Sequence, residues 1–341
     1  MQIWDAISPA DVTAFARAVP EDIENSLARV LPNRQLQGIK SRVVRTTRRN
    51  VAAMYRAYNA ETPIGQRPAA VAVTDVTLPP VGQKLPLYEY DQLALDALRS
   101  GSSGLDRVLE AVYDDTESNI IAIRNRVEVA RGQYLATGKF ALTGENALTI
   151  EADYGLANDH KVNPSVLWGA SNATPMADEQ AWVQKVIDDS GQAPQYAVTS
   201  SRVRNAMLAA ADYRAAAYPG AGTNAPNLSI ERLNGVRAEH GLPPLFIYDG
   251  RVEVNGSVVR VIADDLFILA TGSVGETQFG ITAEAISLAG SNAVDFTTTD
   301  TPGIFAAVYK TVDPVTVWSK ATATVMPVAG DINGLLVADV L

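Results

Sequence analysis

The chain has 341 residues, of which 47% are hydrophobic and 19% are charged, and its formal net charge is −10. This composition is typical of a folded protein with a sizeable core, and it excludes an intrinsically disordered chain. The absence of cysteine excludes disulfides, thiolate catalysis and cysteine zinc sites, and it fits folding in a reducing cytoplasm. The only two histidines, His160 and His240, leave little for metal or acid–base chemistry. No apolar run is long enough to predict a membrane helix, and Met1 to Ala10 is not typical of a secretory signal.

Basic and acidic side chains are segregated along the chain. Residues 34–67 contain one acid, Glu61, and these eight bases: Arg34, Lys40, Arg42, Arg45, Arg48, Arg49, Arg56 and Arg67. Residues 261–341 contain nine acids and only two bases, Lys310 and Lys320. The net negative charge does not favour bulk attraction to nucleic acid or to an acidic membrane. Opposite charges in two regions of one chain suit head-to-tail contacts between copies, although ordinary solvated surface charge explains the same pattern.

The first third of the chain predicts an arm followed by an extended excursion. In residues 1–35, short helices are predicted at 11–18 and 21–30, each ended by a proline. Residues 36–92 contain five prolines, few large apolar residues and one alternating run, Val71 to Thr77, that predicts a strand. Such a stretch cannot bury itself alone, so it is either a flexible loop or a hairpin that rests on another subunit.

A long amphipathic helix is the clearest element of the sequence. Apolar or small residues recur at alternating spacings of three and four, at Leu105, Leu109, Val112, Thr116, Ile120, Ile123, Val127, Ala130 and Tyr134. The helix is predicted from about residue 104 to 137, with Gly138 ending it. At 1.5 Å per residue this is about 45 Å, long enough to act as a spine along which another segment is laid. A coiled coil is the alternative.

The remainder predicts alternating strands and helices. The predicted elements are strands within 139–153, a helix from Pro175 to Gly191 capped by Thr174, a strand at 196–198, an alanine-rich helix from Ser200 to Ala217, a helix at 228–240, strands at 245–248, 252–254, 258–262 and 266–271, and further strands from Ile304 to the end. The Asn255-Gly256 pair between two valine-rich runs predicts a two-residue hairpin with both residues at positive φ.

No active site is recognisable, and we expect neither a catalytic residue, a cofactor nor a metal. Gly132 to Lys139 superficially resembles a phosphate loop, but its spacing is wrong and Phe140 replaces the required Ser or Thr. The adjacent acidic pairs, Asp114-Asp115, Asp188-Asp189 and Asp264-Asp265, point apart on a helix or strand and are interpreted as solvated surface. His240 is interpreted as complementing a helix C-terminus.

The order of these parts resembles the major capsid proteins of tailed bacteriophages, which share the Hong Kong 97-like fold. Residues 130–140 (ARGQYLATGKF), followed by Leu142-Thr143-Gly144-Glu145 and the acidic strand at 150–153, resemble the end of the spine helix in the phage lambda capsid protein E family. Residues 323–327 and 335–340 are similar to that family's C-terminal strands. The similarity runs through essentially the whole chain in order and length.

The resemblance implies an α+β fold with named parts. These are an N-terminal arm at 1–35, an E-loop at 36–92, a P-domain at 93–190 that includes the spine helix, an α/β A-domain at 191–299, and a return to the P-domain strands at 300–341. The E-loop would overlap a neighbouring subunit, and the A-domain would stand at the centre of hexamers and pentamers.

The resemblance also implies partners and a place in the virion. The chain would self-assemble in the bacterial host cytoplasm into the icosahedral head shell, enclosing double-stranded DNA without sequence-specific binding and without a membrane. A separate scaffolding protein, a portal and a decoration protein are the expected partners. An encapsulin, which builds an enzyme-holding compartment on the same fold, and an α/β enzyme with a mobile substrate loop at 36–92 are the alternatives.

Six residues of the extension are predicted to contact neighbouring subunits: Arg42, Arg45, Arg48, Arg49, Arg56 and Lys84. The five arginines are expected to bind carboxylates on those subunits rather than DNA, because a guanidinium can grip a carboxylate with two parallel hydrogen bonds. Lys84 is the only lysine in the far half of the extension. Related shells are sometimes fixed by Lys–Asn isopeptide bonds between subunits, but such a bond is not expected here, because the family that this chain resembles relies on a separate decoration protein.

Overall fold

The structure is a computed structural model and describes residues 19–46, 53–56, 58, 61–62, 70–91, 93, 104–145, 148–220, 225–287, 296–301 and 303–341. Side chains are described for these residues except 43–46, 70–74, 104–113, 287 and 296–301. The predicted helix at 11–18, residues 63–69 of the extension with two of its five prolines, and the Gly101 to Ser103 part of the predicted turn lie outside the described residues.

The elements follow one another as a mixture of strands and helices. The strands are β1 (Asn33–Gln35), β2 (Lys40–Thr46), β3 (Ala70–Thr77), β4 (Pro80–Leu87), β5 (Lys139–Glu145), β6 (Leu148–Asp153), β7 (Lys161–Val162), β8 (Tyr196–Thr199), β9 (Leu245–Ile247), β10 (Arg251–Val254), β11 (Ser257–Arg260), β12 (Leu266–Ala270), β13 (Gly275–Gly280), β14 (Phe296–Thr301), β15 (Ile304–Val312), β16 (Val315–Ala329) and β17 (Leu335–Asp339). The helices are α1 (Gly104–Thr137), α2 (Pro175–Ser190), α3 (Ser201–Ala209), α4 (Ala211–Ala217), α5 (Ile230–Glu239) and α6 (Ala283–Ser287).

The described residues divide into two compact units. The first lies within Met1–Ser41, Val76–Arg131 and Thr277–Pro327, and the second within Arg42–Asp75, Gly132–Glu276 and Val328–Leu341. Each unit has its own large sheet and its own core cluster.

The first unit packs helix α1 on a six-stranded sheet. The sheet has the order β1-β13-β16-β15-β14, with β4 also paired to β16. Ile120, Ile123 and Val127 of α1 pack against sheet residues such as Ala321 and Ala323. The described part of the predicted apolar face, from Thr116 to Tyr134, is therefore largely buried, and the predicted helix bounds are confirmed.

Polar side chains of α1 hold an N-terminal segment along the helix. Arg124 donates to the carbonyl of Pro20 at 2.9 Å and to that of Val19 at 3.1 Å. Glu128 accepts from the backbone amide of Leu27, whose side chain is fully buried. The prediction that the helix is a spine along which another segment lies is thus confirmed, and residues 19–35 are that segment.

The predicted helix at residues 21–30 is wrong. A single 3-10 turn, Leu27–Arg29, is present instead, and the side chain of Ser26 caps it by accepting from the amide of Ala28. Leu27 and Leu31 are both fully buried. Their burial stabilises the segment more than a continued helix in solvent would.

The far half of the predicted extension belongs to the core. Strand β4 is paired with β16 over eight residue pairs, from Pro80↔Thr324 to Leu87↔Val317. Leu78 is buried, and Val81 packs against the core of the first unit. The interpretation that the whole stretch 36–92 contributes little to the interior is therefore wrong for residues 78–87.

The second unit is built on a five-stranded mixed sheet with the order β7-β17-β12-β8-β9. Strand β12 is antiparallel to both β8 and β17, and short β7 runs parallel to β17. Helices α2 to α5 bury residues such as Trp182, Met207 and Leu233 in the core cluster of this unit. The chain therefore ends as a paired strand, as predicted, and that strand lies in the sheet of the second unit.

The predicted alanine-rich helix is broken into α3 and α4. Ser200 caps α3 as predicted, but Ala210 adopts an extended conformation with ψ 139 and starts a second helix. The break carries Tyr213 to the carboxylate of Glu179, to which its hydroxyl donates at 2.8 Å. Tertiary contacts here override the local helix propensity of alanine.

A buried ion pair stands beside this break. Arg237 and Glu179 are both almost fully buried and form an ion pair, and Arg237 also donates to the Pro243 carbonyl at 2.7 Å. Burial raises the pKa of Glu179, and the charge of Arg237 opposes that shift. Three helices, α2, α4 and α5, are tied together by these side chains.

The backbone amides at the start of α2 find a different acceptor from the predicted one. Pro175 occupies the first turn and Gly191, at φ 72, ends the helix, as expected. Thr174 makes no side-chain cap, however, and the carboxylate of Asp212 accepts from the amide of Met176 at 2.7 Å instead.

The predicted hairpin between the two valine-rich runs is confirmed. Strands β10 and β11 are antiparallel with Val254 opposite Ser257. Asn255 at φ 52 and Gly256 at φ 78 form the two-residue turn.

Candidate assembly surface

The basic ribbon, defined here as strands β2 and β3 with their connection, carries Arg42 on its first strand. The two strands pair with each other and form a two-stranded sheet of their own. Arg42 Nε donates to Asp75 Oδ1 at 3.1 Å, and this hydrogen bond raises the pKa of Arg42. Both side chains are more than half exposed, so the pair adds little to stability. The guanidinium has two further nitrogens with which it can bind a second carboxylate.

Of the other predicted arginines, only Arg56 has a described side chain. Arg45 lies on strand β2, but its side chain is outside the described residues, as are Arg48 and Arg49 altogether. Arg56 lies in the exposed stretch 53–56. The structure therefore leaves the contact role of these arginines a prediction.

Lys84 lies on β4, directly opposite Lys320 of β16. Two like charges in this position repel each other, and each ammonium has a different stabilising neighbour. Lys320 donates to Glu284 at 2.8 Å, whereas Lys84 Nζ lies 4.2 Å from the centre of the Trp318 ring. The sequence signals did not single out Trp318, because only the register of the two strands reveals that it flanks Lys84.

Exposed tyrosines accompany the basic residues. Among the described residues, the large exposed aromatic side chains are Tyr55, Tyr58, Tyr88 and Tyr90. Tyr55 and Tyr58 are fully exposed and stand on either side of Arg56 in the sequence. Tyrosine and arginine are the residues that most often dominate the binding energy of protein interfaces. Sequence reasoning missed these tyrosines, although their number within residues 55–90 was a usable signal.

The histidines and acidic pairs form no catalytic arrangement. His160 is buried, and both of its ring nitrogens already contact oxygen atoms. The interpretation of Asp189 as solvated surface is wrong, because its carboxylate contacts His160 and Lys185. His240 caps the C-terminus of α5, as interpreted. Gly132 lies inside helix α1, which agrees with the rejection of a phosphate loop.

The described part of the chain contains neither a membrane-crossing helix nor a cluster of metal ligands. None of its helices combines the length and apolar character required to cross a bilayer. Nowhere in the same part do three histidine or acidic side chains converge so that they could hold a metal ion.

Comparison with solved structures identifies the fold. The crystal structure described as a prophage capsid protein of Escherichia coli CFT073 superimposes with a TM-score of 0.63 at 12% identity, covering 98% of this chain and 99% of that one. A phage-related protein of Bordetella bronchiseptica RB50 gives a TM-score of 0.55 at 12% identity, with 98% and 97% covered. The holo-encapsulin complex of Synechococcus elongatus PCC 7942 gives 0.42 at 11% identity, with 95% and 91% covered. No curated protein matches the chain.

Comparison with protein families decides between the alternatives. The first two similarities establish a Hong Kong 97-like fold. The family described as phage major capsid protein E matches residues 27–340, nearly the whole chain. This match favours the phage capsid over the encapsulin. The chain therefore belongs to the phage major capsid protein E family, and its function is that of a major capsid protein.

Proposed function

We propose that many copies of this chain assemble, as pentamers and hexamers, into the icosahedral head shell of a tailed phage, around its double-stranded DNA. The match to the capsid family over residues 27–340 is the observation that carries this proposal. The role is structural, its place is the virion head, and assembly occurs in the cytoplasm of the bacterial host. Separate scaffolding, portal and decoration proteins complete the proposed set of partners.

The observed elements suggest how the family's parts correspond to this chain. The basic ribbon would be the projecting part of the E-loop, within the expected 36–92. Helix α1, with strands β15 and β16 of the six-stranded sheet, would form the P-domain, within 93–190 and 300–341. The helices and strands from residue 191 onward would form the A-domain, to about 299.

The basic ribbon is the proposed contact with a neighbouring subunit. Its arginines, Arg42, Arg45, Arg48, Arg49 and Arg56, would bind carboxylates of the acid-rich residues 261–341 of a neighbour. Lys84, on strand β4, would add a further contact. Charge complementarity supports this, since eight bases stand against one acid in 34–67, and nine acids against two bases in 261–341. Each exposed ion pair is worth only about 0–1 kcal/mol, but a closed shell repeats the contact at every subunit.

Electron microscopy of the purified full-length chain tests the proposal directly. Negative-stain images of DNA-free protein are expected to show capsomers or closed shells, and size-exclusion chromatography should return a large species. Because the proposed contact is ionic, high salt should shift the equilibrium toward small species. A compact monomer at every salt concentration would contradict the proposal.

A further inference from the structure

One end of the six-stranded sheet brings together two exposed segments that are far apart in the sequence. The first is the turn between β15 and β16, which carries Val312 and Asp313. The second is the stretch 88–91, which leaves β4 directly after Leu87, the partner of Val317 on β16. With neighbouring strands ~4.8 Å apart and a rise of ~3.4 Å per residue, the two segments lie within roughly 15 Å of each other.

The surface that they form, named here the acidic sheet end, is both apolar and negatively charged. It consists of six exposed residues: Tyr88, Glu89, Tyr90, Asp91, Val312 and Asp313. Val312 is 86% exposed and Tyr90 is 81% exposed, and exposed apolar groups in such a cluster mark an interaction site. Among the side chains that the structure describes, none forms an ion pair with the three carboxylates. Lys310 is the only base within three residues of either segment in the sequence.

The basic ribbon has the complementary character. Residues 34–67 contain eight bases and one acid, and the rings of Tyr55 and Tyr58 are fully exposed, so nothing in the same chain covers them. We propose that the acidic sheet end of one copy is the surface that receives the basic ribbon of a second copy. This assignment rests on the proposed function, in which the ribbon contacts a neighbouring subunit, and it names the surface on that neighbour.

The acidic sheet end differs from the region that charge along the chain singles out. Of its three carboxylates, only Asp313 belongs to the acid-rich residues 261–341. Glu89 and Asp91 precede the spine helix in the sequence, and the pairing of β4 with β16 brings them to the same end of the sheet as Asp313. The fold therefore collects negative charge that is dispersed in the sequence.

Two kinds of contact would join the ribbon to this surface. Guanidinium groups of the ribbon can grip a carboxylate with two parallel hydrogen bonds, and its tyrosine rings can pack on Val312 and Tyr90. Ring burial supplies most of the affinity, whereas the charges mainly orient the partners and speed their encounter. Because the ribbon of one copy meets a different surface on the next, the contact is head-to-tail and continues from copy to copy around a ring.

Disulfide trapping between two single-cysteine variants tests the contact directly, because the chain has no cysteine of its own. Tyr58→Cys protein is mixed with nitrogen-15-labelled Val312→Cys protein under assembly conditions and oxidised mildly, so that mass spectrometry distinguishes mixed dimers from dimers of one variant. The matched control partner is Ile286→Cys, at a position that is 72% exposed in the same unit as Val312. We expect mixed dimers to form several-fold faster with Val312→Cys than with Ile286→Cys. Equal rates for the two partners, with Tyr55→Cys as well as with Tyr58→Cys, would overturn the proposal.

Charge exchange provides a second and independent test. Changing Glu89, Asp91 and Asp313 to lysine should raise the protein concentration needed for assembly, because it places bases opposite the arginines of the ribbon. Combining this change with Arg45, Arg48 and Arg49 to glutamate restores opposite charges across the contact, so the combined variant should assemble at a lower concentration than either triple variant.

A control triple variant reverses the same number of exposed carboxylates elsewhere. It changes Glu24, Glu253 and Asp339 to lysine, and it should not rescue the glutamate variant of the ribbon. A combined variant that assembles no better than its parents, or rescue by the control triple, would overturn the assigned surface.

Electron microscopy of the wild-type chain separates failure of this assignment from failure of the proposed function. Wild-type shells without preferential trapping at Val312 would leave the proposed function standing and overturn the acidic sheet end as the receiving surface. Absence of any oligomer of the wild-type chain would overturn the proposed function, and the receiving surface with it.

Discussion

Glu128 and Arg131, three residues apart on helix α1, form an ion pair at 2.9 Å and together hold residues 19–35 against the helix. Glu128 uses its other carboxylate oxygen to accept from the amide of Leu27. Arg131, only 2% exposed, also donates to Thr277 Oγ1 at 2.8 Å and to Asn33. One buried guanidinium therefore joins the helix, the N-terminal segment and the sheet of the first unit.

Removing that guanidinium should release the N-terminal segment. The Arg131→Met variant keeps the apolar stem but leaves the Glu128 carboxylate buried without its partner, which typically costs about 3–5 kcal/mol. We expect the free energy of unfolding to fall by roughly that amount in urea titrations, and limited proteolysis to cut between residues 19 and 35 sooner than in wild type. The Arg251→Met variant, at an exposed position on β10, is the control and should change stability by less than about 0.5 kcal/mol. A variant at Arg131 as stable as that control would show that the ion pair adds nothing.

Periodicity and turn chemistry predicted the elements that depend on local signals. Helix α1 and the Asn255-Gly256 hairpin are confirmed because an apolar stripe and a positive-φ turn are determined by nearby residues. The break at Ala210 and the pairing of β4 with β16 depend on contacts distant in sequence. No local pattern encodes such partners.

The candidate surface could be predicted only in part. The segregation of charge is visible in the sequence. The number of tyrosines within residues 55–90 is a second signal there, although their exposure is seen only in the structure. The Lys84–Trp318 contact could not be found, because it depends on a strand register. The two acceptors of His160 could not be found either, because they lie 29 and 175 positions away in the sequence.

Shortening the basic ribbon should leave a folded subunit that does not assemble. The contact between Arg42 and Asp75 brings the two ends of the ribbon together, so residues 43–74 can be replaced by an Asn-Gly turn. Because β2 and β3 pair only with each other, neither large sheet loses a strand. Circular dichroism should show a cooperative transition like that of wild type, and electron microscopy should show no shells.

The wider deletion of residues 36–92 is the contrasting variant. It also removes β4 and the buried Leu78, so it is expected to unfold or to be strongly destabilised. Wild-type assembly of the 43–74 deletion would contradict the contact role of the ribbon. Loss of its cooperative transition would instead show that the ribbon belongs to the core.

The exposed tyrosines beside Arg56 should provide the apolar part of the same contact. Tyr55→Ala combined with Tyr58→Ala removes two large ring surfaces from an interface without touching the core, since both residues are fully exposed. We expect the protein concentration needed for assembly, measured by light scattering, to rise at least tenfold with no change in thermal stability. The matched Tyr→Phe pair keeps the rings and should assemble within a few-fold of wild type. Assembly of the alanine pair at the wild-type concentration would exclude these tyrosines from the interface.

Charge reversal in the basic ribbon separates contact with a neighbouring subunit from contact with DNA. Changing Arg45, Arg48 and Arg49 to glutamate reverses three charges in the basic ribbon, so carboxylates of a neighbouring subunit would be repelled instead of bound. We expect the triple variant to form no shells, even in DNA-free protein, while its circular dichroism stays that of wild type. The arginine-to-lysine triple variant keeps the charge but lacks the two-pronged hydrogen bonding of guanidinium, so it should assemble more weakly and with greater sensitivity to salt.

The competing interpretation places these arginines against the packaged genome. A shell that must release its DNA gains nothing from tight binding on its inner surface, and the net charge of −10 agrees with weak attraction. The two interpretations predict different products in a cell that supplies the remaining head components. Normal empty shells with poor DNA packaging from the glutamate variant would establish the DNA contact and refute the neighbour contact. Unassembled subunits, with or without DNA, are the result that the opposed charges of residues 34–67 and 261–341 predict.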